Sequence, residues 1–453
     1  MVRTTRLYPR PKLTGTPRKT DGGIPLAGIY DYLEDKDGIL TVDGVSSVEL
    51  ASRFGTPLYV YSARRIRDNY RRIHDAFAAR RENFRANYAV KANNNLSVLD
   101  LLRQEGAGAD CAGPGEIRMA RSVGFPPDRI LYSGNYNSDE ELRYGLESGA
   151  VINLDDGPLL ERLLKFGTPE ALCFRINPGF GKGAYPGVVT AGPDAKFGMR
   201  EREALKAYRR AKEAGIERLG VHMMAGSNVL ETPYWAAITD RLTGIAARIA
   251  KALRIELDFI DLGGGFGVPS KIGETPLPIQ DVAKKVVDAY ERRLASTPGI
   301  GDPTLMIEPG RYLVSDAGIL LASVTHVKTS AKRFVGCDAG MNTLLRPALY
   351  GAYHEILPAT KLRARRSVRA NVTGPICENT DMLGKDRRLP RLEVGDLLAV
   401  LNAGAYGYAM ASRFNSRPMP AEVLVVDGVA RLVRERETLD DLVRGEPVPS
   451  AVA

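Results

Sequence analysis

Between residues 84 and 307, short apolar runs alternate with longer stretches in which apolar residues recur at helical spacing. Short apolar runs are typical of strands buried on both faces, and the intervening stretches are typical of amphipathic helices. Eight runs occur, at residues 84–90, 108–111, 129–132, 150–154, 171–176, 219–222, 259–262 and 304–307. Eight strand–helix units predict an α/β fold, a (β/α)8 barrel of the TIM type. The alternative is a doubly wound open sheet, which usually carries a glycine-rich turn after its first strand, and none follows residue 90.

The pattern changes after residue 311. Later β-branched runs, at residues 317–328, 333–338, 368–373, 397–402, 421–426 and 429–433, have no long helices between them. They predict a second, mostly antiparallel β domain. Two early runs, 38–42 and 56–61, are expected to join it, since chain ends often meet. We therefore divide the chain into a flexible basic tail (1–25), an N-terminal segment that joins the β domain (26–61), the barrel (62–314) and the C-terminal β domain (315–453).

The tail carries much of the net charge of +9. Six basic residues precede the first acid of the chain: Arg3, Arg6, Arg10, Lys12, Arg18 and Lys19. An anionic partner such as nucleic acid is one interpretation. A solvated extension is the other, and the prolines of the tail favour it. We expect neither a nucleic-acid partner nor a membrane partner.

Composition excludes several classes of protein. No apolar run approaches the roughly 20 residues of a membrane span, and the chain does not begin with the apolar core of a secretory signal. The cysteines are widely spaced and form no Cys-x-x-Cys pair: Cys111, Cys173, Cys337 and Cys377. We expect reduced thiols in a cytoplasmic protein, with no disulfide frame and no metal site.

A lysine, Lys91, ends the first apolar run of the predicted barrel. The active site of such a barrel lies at the carboxyl ends of the strands, so Lys91 is placed to reach it. Burial disfavours a charged amine, and the pKa of Lys91 is therefore expected to be lowered. A neutral amine can form a Schiff base. Taken alone, this stretch also fits a lysine that caps the strand and extends to solvent.

The turns that follow two later strands carry polar groups, one suited to bind an anion and the other to bind a ring nitrogen. Residues 261–267 contain three consecutive glycines, whose N–H groups can close on a phosphate, although a tight loop needs the same residues. Ser227 follows the sixth run and offers a hydroxyl. Glu308 ends the eighth run, three residues before Arg311. Glu308 either pairs with Arg311 or accepts a hydrogen bond from a protonated pyridine nitrogen.

Three stretches of the predicted β domain add polar groups. Arg346 and Tyr350 suit a substrate carboxylate. Cys377 and Glu378 place a thiol beside a carboxylate, and Tyr406 stands among small residues. Each stretch taken singly is more often structural than functional.

Taken in order, these motifs resemble the fold-type III pyridoxal-phosphate decarboxylases, and within them the diaminopimelate decarboxylase family. The motifs read YAVKAN, DLGGGFG, EPGR, RPALYGAYH, GPICE, DRRLP, GDLLAV and AGAYGYAMASRFNSRPMPAEVLV. The resemblance runs from about residue 38 to residue 433. It implies a carboxy-lyase of lysine biosynthesis that converts meso-2,6-diaminopimelate to L-lysine and CO2.

The resemblance also implies the cofactor and the residues that hold it. Lys91 corresponds to the lysine that forms a Schiff base with pyridoxal 5'-phosphate, and Glu308 corresponds to the partner of the pyridine nitrogen. The residues that fall where the family holds the phosphate and the substrate are Ser227, Gly264, Gly265, Gly310 and Arg311.

On the substrate side, Arg311, Arg346 and Tyr350 correspond to residues that bind the distal carboxylate of diaminopimelate. Glu378 corresponds to the residue that faces the distal amino group, and Tyr406 corresponds to a tyrosine that contacts both cofactor and substrate.

Cys377 corresponds to the thiol that protonates the decarboxylated carbon. In this family Cys377 and Glu378 would reach the site across a dimer interface. The resemblance therefore implies a homodimer with shared active sites.

The chain departs from the family pattern after the sixth strand. Many members read HxHIGSQ there, with the second histidine stacked on the cofactor ring, whereas this chain has Met224 at that position. A thioether can pack on a ring but is a poor hydrogen-bonding group. His222 lies two positions earlier and would face the same side of the strand. It is either a cofactor contact or a satisfied core histidine.

Three other functions compete with diaminopimelate decarboxylation. A racemase of the same fold would place an arginine at the ring nitrogen, and Glu308 argues against it. A catalytically dead regulator would have lost Lys91 or the phosphate turn, and this chain has both. A related decarboxylase acting on D-lysine, D-ornithine or a specialised amino acid is the runner-up, because the departures at Met224 and Asn379 would suit it. Asn379 lies in CENTD, which replaces CESGD, and RFN replaces NYN further on.

Overall fold

The computed structural model describes residue 28 and residues 30–446. The predicted tail, 1–25, and residues 447–453 lie outside this range. The chain begins with a small antiparallel sheet of β1 (Leu33–Lys36), β2 (Ile39–Val42) and β3 (Val45–Ser46). Helix α1 (Ser47–Phe54) follows and ends at Gly55, whose φ of 70° suits glycine. Strand β4 (Leu58–Ser62) and helix α2 (Ala63–Ala78) then lead into the barrel.

Eight parallel strands close into a barrel. They are β5 (Phe84–Ala89), β6 (Gly108–Cys111), β7 (Ile130–Tyr132), β8 (Val151–Leu154), β9 (Ala171–Arg175), β11 (Arg218–His222), β13 (Phe259–Asp261) and β14 (Thr304–Ile307). β14 closes onto β5 through the pair Leu305 and Phe84. A short parallel pair, β10 (Lys182–Gly183) with β12 (Gly226–Ser227), lies apart from the barrel sheet.

Helices connect the barrel strands. They are α3 (Leu96–Gln104), α4 (Pro114–Ser122), α5 (Asp139–Glu147), α6 (Pro158–Leu163), α7 (Glu201–Glu213), α8 (Thr232–Leu253) and α9 (Ile279–Ala295). Every residue of β6 to β9 is buried, which explains why their sequences are continuous runs and do not alternate. The longest helix, α8, buries Trp235, whose indole stacks on Phe266 at 4.0 Å between ring centroids.

The second domain is built on a nine-stranded sheet in which antiparallel pairs predominate. After α10 (Arg311–Val314) come β15 (Gly318–Thr329), β16 (Arg333–Cys337), α11 (Arg346–Tyr350), β17 (Ile356–Pro358), β18 (Val368–Thr373), β19 (Met382–Leu389), β20 (Leu397–Val400), β21 (Ala421–Val426), β22 (Val429–Arg434) and α12 (Leu439–Val443). The spine of the sheet is β19-β18-β16-β15-β4-β21-β22, and β20 pairs with both β15 and β17.

The predicted fold, a (β/α)8 barrel with a mostly antiparallel β domain, is confirmed. Strand β4 lies inside the sheet of the second domain, between β15 and β21. The run at 38–42 instead belongs to the separate β1–β3 sheet, which packs on the same apolar core as β4. The domain boundaries drawn from the sequence stay a prediction. Within residues 30–446, no helix is both long and apolar enough to cross a membrane.

Candidate active site

Lys91 lies in a short helical turn directly after β5, between the buried residues Val90 and Ala92. Its Nζ is 2.6 Å from Oδ2 of Asp110, a fully buried residue of the neighbouring strand β6. The Lys91 side chain itself is 40% exposed, so a ligand can reach its amine from the barrel mouth. The site thus begins with a lysine that is held by a buried carboxylate and accessible from outside.

The expected lowering of the Lys91 pKa is wrong. Burial does lower it, but the carboxylates of Asp110 and Glu308 outweigh burial and raise the pKa of Lys91 above its ordinary value. The pKa of Asp110 is raised too, because burial and Glu308 outweigh the attraction of Lys91. The 2.6 Å contact with Asp110 therefore favours the protonated, ammonium form of Lys91.

Three buried groups from neighbouring strands meet behind the lysine. His222 ends β11, Asp261 ends β13 and Glu308 follows β14. His222 Nε2 lies 3.2 Å from Glu308 Oε1, and Asp261 Oδ1 accepts the Gly263 N–H at 2.8 Å. Burial and the Glu308 carboxylate raise the pKa of Asp261 well above its usual range. Burial also acts to raise the pKa of Glu308, but His222, Lys91 and Arg175 outweigh it and keep that pKa low.

Several polar atoms of this cluster have no hydrogen-bond partner within the described residues. They are Asp110 Oδ1, Asp261 Oδ2, Glu308 Oε1 and both ring nitrogens of His222. Buried polar atoms are normally satisfied, and such exceptions commonly mark functional sites. The cluster is therefore built to contact a polar ligand. His222 contacts the Glu308 carboxylate at 3.2 Å, and its role as a cofactor contact stays a prediction.

The glycine turn after β13 has no room for side chains. A Cβ added at Gly264 would collide with the carbonyl oxygen of Glu308, and one at Gly265 with that of Gly226. Gly265 also has a φ of 110°, which suits glycine. Met224 lies against this turn, and its Sδ accepts the Gly264 N–H at 3.1 Å. The turn brings backbone donors close to the barrel mouth.

Gly310 is also tightly packed, although less so, since an added Cβ would be 3.0 Å from the methyl groups of both Ala89 and Ala92. The lysine turn and the Glu308 turn are therefore packed directly against each other. Ser227, in β12, is half-buried beside the glycine turn, and its neighbour Gly226 contacts Gly265. The structure thus brings Lys91, Ser227, the glycines and Glu308 to one end of the barrel.

Two arginines form the opposite side of the site. The guanidinium of Arg311 lies 4.9 Å from the ring centre of Tyr406, and that of Arg346 lies 5.8 Å from the same ring. Arg346 also lies 5.7 Å from the ring of Tyr350. Neither arginine has an acidic partner among the described residues. The interpretation of Glu308 as the salt-bridge partner of Arg311 is therefore wrong: the basic side chain next to the Glu308 carboxylate is His222, with 3.2 Å between Nε2 and Oε1.

Burial lowers the pKa of both arginines; for Arg346, burial and then the like charge of Arg311 lower it to about 10. Both line one cavity together with Tyr185 and His354. His354 is buried, and burial together with the nearby arginines lowers its pKa to about 3, so the ring is neutral. Its Nδ1 lies 2.8 Å from the Leu401 carbonyl oxygen and must donate, which leaves Nε2 as an unpartnered acceptor in the described structure.

Cys377 and Glu378 are placed differently from the other predicted residues. They lie on the exposed loop between β18 and β19, where Glu378 Oε2 accepts from the Thr380 hydroxyl at 2.9 Å. Cys377 contacts Asn415 through both its backbone and its sulfur. The other three cysteines are buried. The action of Cys377 and Glu378 on a partner's active site stays a prediction.

The structure adds residues that the sequence motifs did not single out. Asp110, Asp261 and Arg175 belong to the buried cluster, and Tyr185 and His354 belong to the arginine cavity. An acid inside a buried strand, as in GADC, was a usable signal for Asp110. No sequence signal pointed to Tyr185, because it is far from Tyr350 in sequence and only the fold brings the two rings to 6.2 Å between centroids.

A barrel with a lysine at the end of its first strand and a β domain at its mouth defines a class. The sequence model of the pyridoxal-dependent decarboxylases (pyridoxal binding domain) matches residues 63–315, more than half of the chain. The chain is 46% identical to the diaminopimelate decarboxylase of Methanothermobacter thermautotrophicus, over 91% of this chain and 96% of that protein. It is 40% identical to that of Thermoplasma acidophilum, over 92% and 99%.

Solved structures agree. The diaminopimelate decarboxylase of Methanocaldococcus jannaschii superposes with a TM-score of 0.85 at 35% identity, over 92% of this chain and 98% of that one. The same enzyme has been solved in complex with L-lysine, again with a TM-score of 0.85. The chain thus belongs to the pyridoxal-dependent decarboxylases and, within them, to the diaminopimelate decarboxylase family. It is a carboxy-lyase whose cofactor is pyridoxal phosphate.

Proposed function

We propose that this enzyme decarboxylates meso-2,6-diaminopimelate to L-lysine and CO2. The observation that carries the proposal is the pair of arginines, the half-buried Arg311 and the buried Arg346, that share a cavity and have no acidic partner in the described structure. An uncompensated buried charge is costly, so such a pair is suited to an anionic ligand group. Diaminopimelate retains a second carboxylate at the end remote from the reaction. The names of the relatives, and the L-lysine complex of one of them, support the same substrate.

The residues present fit pyridoxal phosphate. Lys91 would supply the amine that binds its aldehyde. The Glu308 carboxylate, whose Oε1 lies 3.2 Å from His222 Nε2, would accept the ring N–H. The N–H groups of Gly263 and Gly264 already have acceptors, so the glycine turn would hold the phosphate through Gly265, assisted by Ser227 and Gly310. Bound there, the cofactor supplies an electron sink for the electrons of the breaking C–C bond.

The buried acids prepare these groups for the reaction. Lys91 must lose a proton to act as a nucleophile, and Asp110 Oδ2 at 2.6 Å, with its raised pKa, is placed to take that proton. Glu308 stays ionised because His222, Lys91 and Arg175 keep its pKa low, so it can hold a proton on the ring nitrogen. His222 steadies Glu308 at 3.2 Å.

The mouth of the site binds the rest of the substrate. Arg311, Arg346 and Tyr350 would bind the distal carboxylate, and the Tyr406 ring would lie between the two guanidinium groups and the reacting end. In a homodimer, Glu378 would face the distal amino group of the substrate in the partner's site. Cys377 would donate its thiol proton to the carbon that has lost CO2, and the S–H electron pair would remain on sulfur.

The homodimer and the cytoplasmic location belong to this proposal. The exposure of Cys377 and Glu378 supports the dimer, because both residues carry functional groups on the surface of one subunit. The four unpaired cysteines agree with a reducing compartment. Sedimentation velocity would measure the oligomeric state.

The test is CO2 release from a panel of the diaminopimelate stereoisomers, D- and L-lysine, ornithine, arginine and glutamate. We expect meso-diaminopimelate to give the highest kcat/KM. Turnover of D-lysine or D-ornithine with inert diaminopimelate would overturn the substrate assignment. Exchange of the Cα hydrogen with deuterated solvent, without CO2 release, would indicate a racemase instead.

A further inference from the structure

One side-chain amide contacts Cys377 at two points. Asn415 Oδ1 accepts the backbone N–H of Cys377 at 3.0 Å, and Asn415 Nδ2 lies 3.3 Å from Cys377 Sγ. An N–H can only donate, so Oδ1 must face the backbone and Nδ2 must face the sulfur. The amide orientation is thereby fixed, and the sulfur is the acceptor.

The loop that carries Cys377 is anchored at its base but not at its tip. Buried Asp381 accepts the N–H of Ile376 at 2.7 Å and that of Met341 at 2.6 Å. Beyond this anchor, Cys377 is exposed. Asn415 therefore supplies the contact that sets where the sulfur lies. Asn415 is itself fixed in the left-handed region, with a φ of 58°, a conformation that asparagine tolerates well.

We propose that Asn415 is a positioning residue for Cys377: it holds the thiol in place and stabilises the thiolate that forms when the proton leaves. The inference rests on the proposed function, in which Cys377 is the proton donor. The S–H bond breaks, the proton forms a C–H bond on the substrate, and the electron pair stays on sulfur. The Nδ2–H of Asn415 then donates to an anion, and hydrogen bonds to charged acceptors are stronger than those to neutral ones.

The charged groups around this contact do not replace it. Glu378 is engaged by Thr380, and Arg417 donates to the Pro375 carbonyl oxygen at 3.3 Å. Arg413, on the same segment as Asn415, is paired with Glu437 at 2.6 Å. Within the described residues, the hydrogen-bond donor to the Cys377 sulfur is the neutral side-chain amide of Asn415.

Two variants separate the two halves of the contact. Asn415→Asp keeps an oxygen for the Cys377 N–H and tolerates the same backbone, but replaces the donor at sulfur by a negative charge. Asn415→Gly keeps the left-handed backbone and removes both contacts. Asn379→Asp, two residues from Cys377 and exposed, is the matched control for added charge.

The first measurement is the rate of Cys377 alkylation by iodoacetamide as a function of pH, on the full-length holoenzyme with Cys377→Ala as the background. The other cysteines are buried and should react slowly. We expect Asn415→Asp to shift the pH–rate curve upward by about one unit, so that alkylation at pH 7.5 slows about tenfold. Asn415→Gly should slow alkylation of Cys377 about threefold. Asn379→Asp should slow it by a smaller factor than Asn415→Asp does.

The second measurement is steady-state CO2 release from meso-diaminopimelate. We expect kcat of Asn415→Asp to fall about tenfold with KM within about twofold, because only proton delivery changes. A wild-type alkylation curve for Asn415→Asp overturns the inference, and so does a shifted curve with unchanged kcat. If the wild-type enzyme releases no CO2 from diaminopimelate, the proposed function fails, and the alkylation curves still test the Asn415–Cys377 contact separately.

Discussion

The two sides of the active site solve the problem of buried charge in opposite ways. Behind Lys91, the carboxylates of Asp110 and Glu308 each face a basic side chain of the same chain, Lys91 at 2.6 Å and His222 at 3.2 Å, and Asp261 accepts a backbone N–H. At the mouth, Arg311 and Arg346 have aromatic rings as neighbours and no acid in the described structure. A self-balanced cluster can tune the pKa of its members, whereas an unbalanced one must take its counter-ion from a ligand.

The largest expected effect on activity comes from removing the amine of Lys91. Lys91→Ala should lower CO2 release by a factor on the order of 10^4 or more, because no other group can form the covalent bond to the cofactor. Its visible absorption spectrum should also differ from that of the wild type. Lys284→Ala, at an exposed position on α9, is the control. A wild-type spectrum and turnover in Lys91→Ala would remove Lys91 from the mechanism.

Removing one arginine of the mouth tests the unbalanced side. Arg346→Met should weaken kcat/KM for diaminopimelate by about 2–5 kcal/mol, mainly through KM, because a desolvated ion pair with the substrate is lost. Any residual turnover of D-lysine, which has no second carboxylate, should change much less. Arg388→Met, on the exposed face of β19, controls for loss of an arginine. Equal losses with both substrates would contradict a carboxylate site.

The neutral His354 beside the arginines predicts a pH dependence of stability. The pKa of His354 is about 3 in the folded protein and 6.5 ordinarily. As the pH falls below 6.5, His354 therefore takes up a proton in the unfolded chain but stays neutral in the folded protein. Its contribution to stability is complete above pH 6.5 and is lost toward pH 3, by about 1.4 kcal/mol per pH unit.

The variant His354→Gln should therefore flatten the acid side of the stability curve, measured by urea unfolding from pH 7 to about pH 4.5. His326→Gln, at an exposed position on β15, should leave the slope unchanged. An unchanged slope in His354→Gln would show that the ring is not held neutral by its surroundings.

The smallest effect is expected at the glycine turn. Met224→Leu keeps the packing against the turn but removes the sulfur that accepts the Gly264 N–H at 3.1 Å. The free energy of unfolding should fall by less than about 1 kcal/mol, and cofactor affinity should change by no more than about threefold. Met223→Leu, a fully buried neighbour, is the matched control. A much larger loss of cofactor would mean that the sulfur itself contacts the cofactor.

Hydrophobic periodicity predicted the barrel because each strand is short, buried on both faces and followed by a helix. The same order of runs placed Lys91, the glycine turn and Glu308 at the strand ends, where the structure has them. Periodicity could not give the Lys91–Asp110 contact, because it depends on the register of β5 against β6. Because the sequence did not reveal that contact, the prediction considered burial alone and expected a lowered pKa for Lys91, whereas the pKa is raised.

Proximity in sequence also misled at Glu308. Arg311 lies three residues away, yet its guanidinium lies over the Tyr406 ring, at 4.9 Å from the ring centre, and forms no salt bridge with the carboxylate. The partner of Glu308 is His222, 86 positions earlier in the chain, and only closure of the barrel brings the two together. Local sequence patterns cannot predict long-range contacts of this kind. The order of the motifs along the chain, in contrast, can be read directly from the sequence.

The backbone of the lysine turn is fastened to the β domain. The Tyr406 N–H donates to the Ala92 carbonyl oxygen at 2.7 Å, and Asn93 Nδ2 donates to the Gly404 carbonyl oxygen at 3.1 Å. These two contacts restrict how such enzymes can be recombined. In a chimaera that takes its barrel from one parent and its β domain from another, the first contact joins main-chain atoms that any residues offer, whereas the second needs Asn93. A barrel parent without an asparagine at this position should give folded hybrids with a less firmly held lysine turn.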